Sequence, residues 1–117
     1  MSADRYLERN VKVNGREFAI RIILFANGGF VSISEGSTHR IGALNVSLPG
    51  AGGVTTAKVI PSKQDALFLS VLSERMASMI KGVCVASLHT VNTLDLKTMK
   101  SLMDSVTSAM GGLHGSS

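Results

Sequence analysis

Hydrophobic and polar positions alternate through the first half of the chain and then change period. Over residues 6–13, Leu7, Val11 and Val13 fall on one side and Tyr6, Glu8, Asn10 and Lys12 on the other, the mark of a half-buried strand. Asn14-Gly15 tolerates positive φ at both central positions of a type I′ turn, so residues 16–26 should return as the second strand of a hairpin. In that strand Phe18, Ile20, Ile22 and Leu24 share one face, while Ile23 and Phe25 make the other apolar as well. Both faces therefore want cover. Asn27-Gly28-Gly29 and Glu35-Gly36-Ser37 punctuate a third strand over 30–34 and a fourth over 41–48. Pro49-Gly50-Ala51-Gly52-Gly53 is expected to form a mobile loop, because Pro lacks a ladder donor and Gly offers little to anchor. The strand pattern resumes over 55–60.

Beyond Pro61 the period becomes helical. Ser62 and Asp65 have the spacing of a capping box, and an apolar stripe runs through Leu67, Phe68, Val71, Leu72, Met76, Met79 and Ile80. Gly82 is the expected left-handed stop. Residues 83–88 are short and almost wholly apolar, which predicts a central strand. Asp95 then caps a second helix with the stripe Leu96, Met99, Met103, Val106 and Met110. Gly111-Gly112 should end it and leave 111–117 as a loose tail. The expectation is one α+β domain over residues 1–117, an antiparallel six-stranded meander-type sheet with two helices on one face, in the order βββββαβα.

Composition changes this picture little but narrows the function. A chain of 117 residues, 44% hydrophobic and 17% charged, is one domain able to bury about two-thirds of its unfolded surface without disulfide or metal. With no Trp, one Tyr and four Phe, the core must be aliphatic and Met-rich. The single cysteine, Cys84, sits in the apolar run Val83-Cys84-Val85-Ala86, which reads as a buried thiol in a reducing compartment, the cytoplasm or nucleus. No leader pattern opens the chain, and no apolar stretch approaches the roughly 20 residues of a spanning helix, so secretion and membrane insertion are not expected. Asn45-Val46-Ser47 is then a chance match to a glycosylation acceptor. The net charge of +4 comes from cations interleaved with Asp4, Glu8 and Glu17 and lacks an aromatic platform, so nucleic acid is not the expected partner either.

Candidate chemistry is sparse. Gly50-Ala51-Gly52-Gly53 precedes a strand instead of the helix N-terminus that a phosphate loop needs. Thr55-Thr56 is internal, whereas an N-terminal threonine nucleophile borrows a free α-amine as base. His39, His89 and His114 are widely spaced, with no Cys or carboxylate at ligand spacing, so no metal site is expected. Cys84 has apolar neighbours that hide it and raise its pKa, and no Gly-x-Ser-x-Gly elbow exists. The expectation is a protein without catalytic residues, metal or cofactor.

The order of elements, with Gly42-Ala43-Leu44 in the fourth strand, Thr55-Thr56-Ala57-Lys58-Val59-Ile60 leading into the helix from Gln64, Val83-Cys84-Val85-Ala86-Ser87-Leu88 and a closing helix from Leu94, resembles the small proteasome assembly chaperones, the third and fourth members of that set. The likeness covers residues 16–108. It departs at Pro61-Ser62-Lys63, where the family often places a Gly and an acidic residue. The resemblance implies a non-catalytic dimeric chaperone, without cofactor, that binds proteasome α-subunits and guides assembly of the α-ring. Its partner in the dimer would be a second copy of itself or a related small chaperone. The hydrophobic pattern asks for a partner on its own account: if the helices cover one face, Ile23, Phe25, Val31 and Ile33 are left as an apolar patch that sheet-to-sheet pairing would bury, unless loops or the first strand cover it within one chain. Pro49, Gly50, Ala51, Gly52 and Gly53 would be the loop that moulds to a client. The alternative is a small dimeric adaptor of the roadblock or profilin-like kind, which typically begins with a helix where this chain begins with strands.

Overall fold

A computed structural model describes residues 5–114. Its elements are β1 (Arg5–Val13), β2 (Arg16–Phe25), β3 (Gly28–Glu35), β4 (Ala43–Gly50), β5 (Gly53–Ile60), α1 (Ala66–Ile80), β6 (Val83–His89) and α2 (Leu96–His114). Asn14 and Gly15 both take positive φ, 52° and 76°, as the first hairpin requires.

The six strands form one sheet in the order β1-β2-β3-β6-β4-β5. The expected antiparallel meander is corrected here: β6 inserts between β3 and β4, pairing parallel with β3 and antiparallel with β4, so the sheet is mixed. The cause is the apolar character of β6. Cys84 and Ala86 are fully buried and Leu88 nearly so. A strand with that demand gains most in the middle of the sheet, and α1 supplies the crossover that a parallel neighbour needs. Gly28 makes the close approach possible, since a Cβ there would lie 2.3 Å from the Val83 carbonyl oxygen.

Helix ends also differ from expectation. Asp65 precedes α1 in the left-handed region, φ 62°, and makes no side-chain cap. Its carboxylate instead accepts the Leu94 N–H at 3.2 Å, tying the start of α1 to the segment before α2. Ser62 Oγ donates to the Gln64 carbonyl, so the capping box does not form. At the other end the left-handed residue is Lys81, φ 60°, not Gly82. Asp95 does cap α2, its Oδ1 accepting the Thr98 N–H at 2.8 Å. That helix runs through Gly111-Gly112 to His114, and only 115–117 of the predicted loose tail lies outside the described residues.

The core lies between one sheet face and the two helices. Ile20, Ile22, Val31 and Ile33 from the sheet meet Leu69, Leu72 and Met76 of α1 and Leu102, Val106 and Met110 of α2. Helix α2 packs over β1 and β2, α1 over β3 to β6, and the helices touch each other. Each such branched or long apolar side chain contributes about 1.5–3 kcal/mol by leaving water. Under α1 the seam is partly polar: Ser47 Oγ lies 2.8 Å from both Ser73 Oγ and Thr56 Oγ1, which satisfies hydroxyls that burial would otherwise strand. Leu67 and Val71, placed by their spacing in the α1 stripe, instead point outward.

Candidate interaction surface

Strand alternation sends every second side chain to the face the helices do not cover. Register carries one apolar row straight across the sheet: Tyr6 opposite Ile23, Ile23 opposite Phe30, Phe30 beside Val85, Val85 opposite Val46, and Val46 opposite Ala57. A second row runs Glu8, Arg21, Ser32, Ser87, Leu44 and Ile60, polar at the β1 end and apolar at the β5 end. Phe25 on β2 and Leu48 on β4 extend the apolar side, 49% and 56% exposed. No helix or strand among the described residues lies over this face; the connection between β3 and β4 covers one end of it, where Ser34 and Ser87 are buried and hydrogen-bonded to Thr38, Arg40 and Gly42. Apolar side chains contiguous across all six strands, aromatic or branched on five of them, are unusual for the wet side of a half-covered sheet, where polar residues are expected.

The predicted interface residues divide between the two faces. Ile23 and Phe25 sit on the open face as expected. Val31 and Ile33 do not: both are 0% exposed and face the helices. The parity of β3 is set by the two-residue connection at Ala26-Asn27, which places Gly28 opposite Phe25 and so Phe30 and Ser32 on the open face. Phe30, Val46 and Val85 are the residues sequence reasoning missed. Reading Ala26-Asn27 as a hairpin turn would have found Phe30; Val46 and Val85 needed the position of β6.

The expected loop at Pro49-Gly50-Ala51-Gly52-Gly53 is also different. Strand β4 continues to Gly50 and β5 starts at Gly53, with Pro49 opposite Val54 and Gly50 opposite Gly53, leaving a two-residue turn at Ala51-Gly52. The β4–β6 ladder has already ended at Ser47, so the missing Pro49 donor leaves no partner on that side unpaired. The segment is a projecting hairpin tip.

Electrostatics on the open face are nearly neutral. Arg21 Nη2 lies 3.6 Å from Glu8 Oε2, which His39 Nε2 approaches at 4.0 Å, and Lys12 stands opposite Glu17. Arg21 Nε is buried without a hydrogen-bond partner among the described residues. The strongest charge pair lies elsewhere, on the helix-covered side: Arg16 grips Glu35 bidentately at 2.7 and 2.9 Å. Arg16 also donates to the carbonyls of Asn92 and Thr93, and Glu35 accepts the Val91 N–H. These hydrogen bonds from Arg16 and Val91 hold the Glu35 carboxyl below its ordinary value.

Among the described residues, Cys84, His39 and His89 form no common cluster. Burial pushes the Cys84 thiol up to about 12, so it stays protonated and unreactive at neutral pH. His39 and His89 lie on different elements, the side chain of His114 is outside the described residues, and no group of three His, Cys, Asp or Glu among the described residues could hold a metal ion. No helix among them is long and apolar enough to cross a membrane.

No protein-family model matches the sequence, and no curated protein matches it significantly. The fold does match. A chain of a solved structure described as a novel chaperone complex for yeast 20S proteasome assembly superposes with a TM-score of 0.70 at 10% identity, over 94% of this chain and 100% of that one. The two share a fold across all of that chain and nearly all of this one.

Proposed function

We propose that this protein is a non-catalytic chaperone of proteasome assembly, which binds proteasome α-subunits and assists formation of the α-ring as a dimer with itself or a related small chaperone. The observation that carries this reading is the match over whole chain lengths to a component of a proteasome assembly chaperone complex. The apolar row from Tyr6 to Ala57 supports the dimer. Two such faces packed together would remove it from water in the manner of a β-sandwich, and the near-neutral charge of the face lets like meet like without repulsion. Such a dimer leaves both helices and both ends of the sheet free for the client. The hairpin tip at Pro49–Gly53 would meet it as a rigid edge. Action is by differential binding: the chaperone favours one arrangement of α-subunits by holding it more tightly than others, with no covalent step and no cofactor. Its place of work would be the cytoplasm or nucleus, on protein and not on nucleic acid or membrane.

The test is co-purification of tagged protein from cells, scored for free α-subunits and part-assembled core particles against mature proteasomes. Enrichment of the first two is expected. Recovery of neither, under conditions that keep the dimer together, would contradict the proposal and favour an adaptor role.

A further inference from the structure

A groove of about 550 Å³ opens at the end of the sheet where β6 finishes and α1 begins, lined by Ile41, Ile60, Lys63, His89 and Val91 among others. It is separate from the hairpin tip and shares only Ile60 with the open-face rows. Its two most exposed apolar side chains are Ile41 and Val91, at 70% and 64%, and both stand on segments that are held still. On one wall Ser34 Oγ accepts the Arg40 N–H and donates to the Thr38 carbonyl, and Ser87 Oγ accepts the Gly42 N–H. On the other wall Arg16 and Glu35 hold residues 91–93, and Gln64 bonds both Thr90 and Thr93. Branched apolar groups fixed in water by hydrogen bonds lose little entropy when a partner covers them.

Charge says what kind of partner. Lys63 lines the groove and Arg40 immediately precedes its Ile41 in the chain; both are exposed and have no acidic partner among the described residues, and His89 lies in the wall. The nearby acids are already occupied: Glu35 by Arg16 and the Val91 N–H, Asp65 by the Leu94 N–H. The lining therefore sets a cation, Lys63, beside apolar contacts and includes no carboxylate.

We propose that this groove docks an extended acidic segment of a partner protein, its carboxylates meeting Arg40 and Lys63 and its branched apolar side chains meeting Ile41, Ile60 and Val91. The site rests on Ile41, Lys63 and Val91, none of which belongs to the open-face rows, and does not depend on the chaperone reading, so either can fail alone.

The experiment titrates the full chain with a fluorescent hexapeptide, Glu-Asp-Ile-Glu-Leu-Asp, with its counterpart carrying Lys at every acidic position, and with a short single-stranded oligonucleotide. Amide NMR shifts follow each titration. The acidic peptide should bind about tenfold or more tightly than the basic one, a difference of about 1.4 kcal/mol, and should move the amides of Ile41, Gly42, Lys63, His89 and Val91. Arg40→Glu with Lys63→Glu, and separately Ile41→Ser with Val91→Ser, should each weaken it about tenfold or more, whereas Leu48→Ser should not. All these positions except half-buried Gly42 and His89 are exposed, and circular dichroism of each variant should match the parent. Equal binding of the two peptides, shifts confined to the open sheet face, unchanged affinity in both double variants, or tighter binding of the oligonucleotide in the same groove would overturn the proposal.

Discussion

The two faces of the sheet are built by the same alternation yet meet different fates. On β2, Ile20 and Ile22 are 0% exposed beneath the helices, while their neighbour Ile23 and the terminal Phe25 point the other way, Phe25 at 49%. The residue types hardly differ; the cover does. One face is a core completed within the chain. The other carries an apolar row across the sheet, with no helix or strand among the described residues above it. Aromatic and branched residues on both faces are what a sheet sandwiched between two layers uses, and the helices cover one of the two.

Substitutions rank by how much of the intramolecular half they damage. Leu72→Ala, at a fully buried α1 position against the sheet, should lower unfolding free energy by about 3 kcal/mol in chemical denaturation. Glu35→Gln should cost about 2 kcal/mol, since it weakens charge-assisted bonds from Arg16 that pin the β6–α2 connection. Its pH signature is specific. Because the folded carboxyl sits below its ordinary value of 4.5, the Glu35 contribution is fully present above that value and lost as pH falls through the lower folded value. The parent should therefore lose stability more steeply than Glu35→Gln below about pH 4.5, and parallel denaturation curves in that range would remove Glu35 from the account.

Ser47→Ala should cost about 1 kcal/mol, because it removes the buried bonds to Ser73 and Thr56, whose hydroxyls keep only the Ser70 carbonyl and Glu74. Smallest on this scale is Val46→Glu on the open face, within about 0.5 kcal/mol for the separate chain. For association the ranking reverses. Val46→Glu should convert a dimer to a monomer by sedimentation, while Ser47→Ala, one residue along the same strand and facing the helices, should leave the mass unchanged.

Much of this arrangement was legible in the sequence because local rules decided it. Asn14-Gly15 fixed the first hairpin, Asp95 marked the start of α2, and the almost wholly apolar run at 83–88 announced a central strand. What was not legible depended on distant partners. Nothing near Val83 says that its neighbours will be β3 and β4, yet that choice makes the sheet mixed and puts Val85 at the centre of the open row. The face parity of β3 turned on one residue of connection length, which exchanged Val31 and Ile33 for Phe30 and Ser32. Asp65 was misjudged for a similar reason: its side chain reaches Leu94, which is distant in sequence, in preference to the first turn of its own helix. Pro and Gly at 49–53 read as loop formers, but a hairpin tip beyond its neighbour's ladder accepts both.

The central claim is that another chain covers the row from Tyr6 to Ala57. The most direct test mixes protein carrying labelled methyl groups with unlabelled protein and records only those nuclear Overhauser contacts that cross between chains. Contacts to the methyls of Ile23, Val46 and Val85 are predicted, lost in Val46→Glu. A monomer without such contacts at micromolar concentration, or contacts confined to the outer surfaces of α1 and α2, would contradict it.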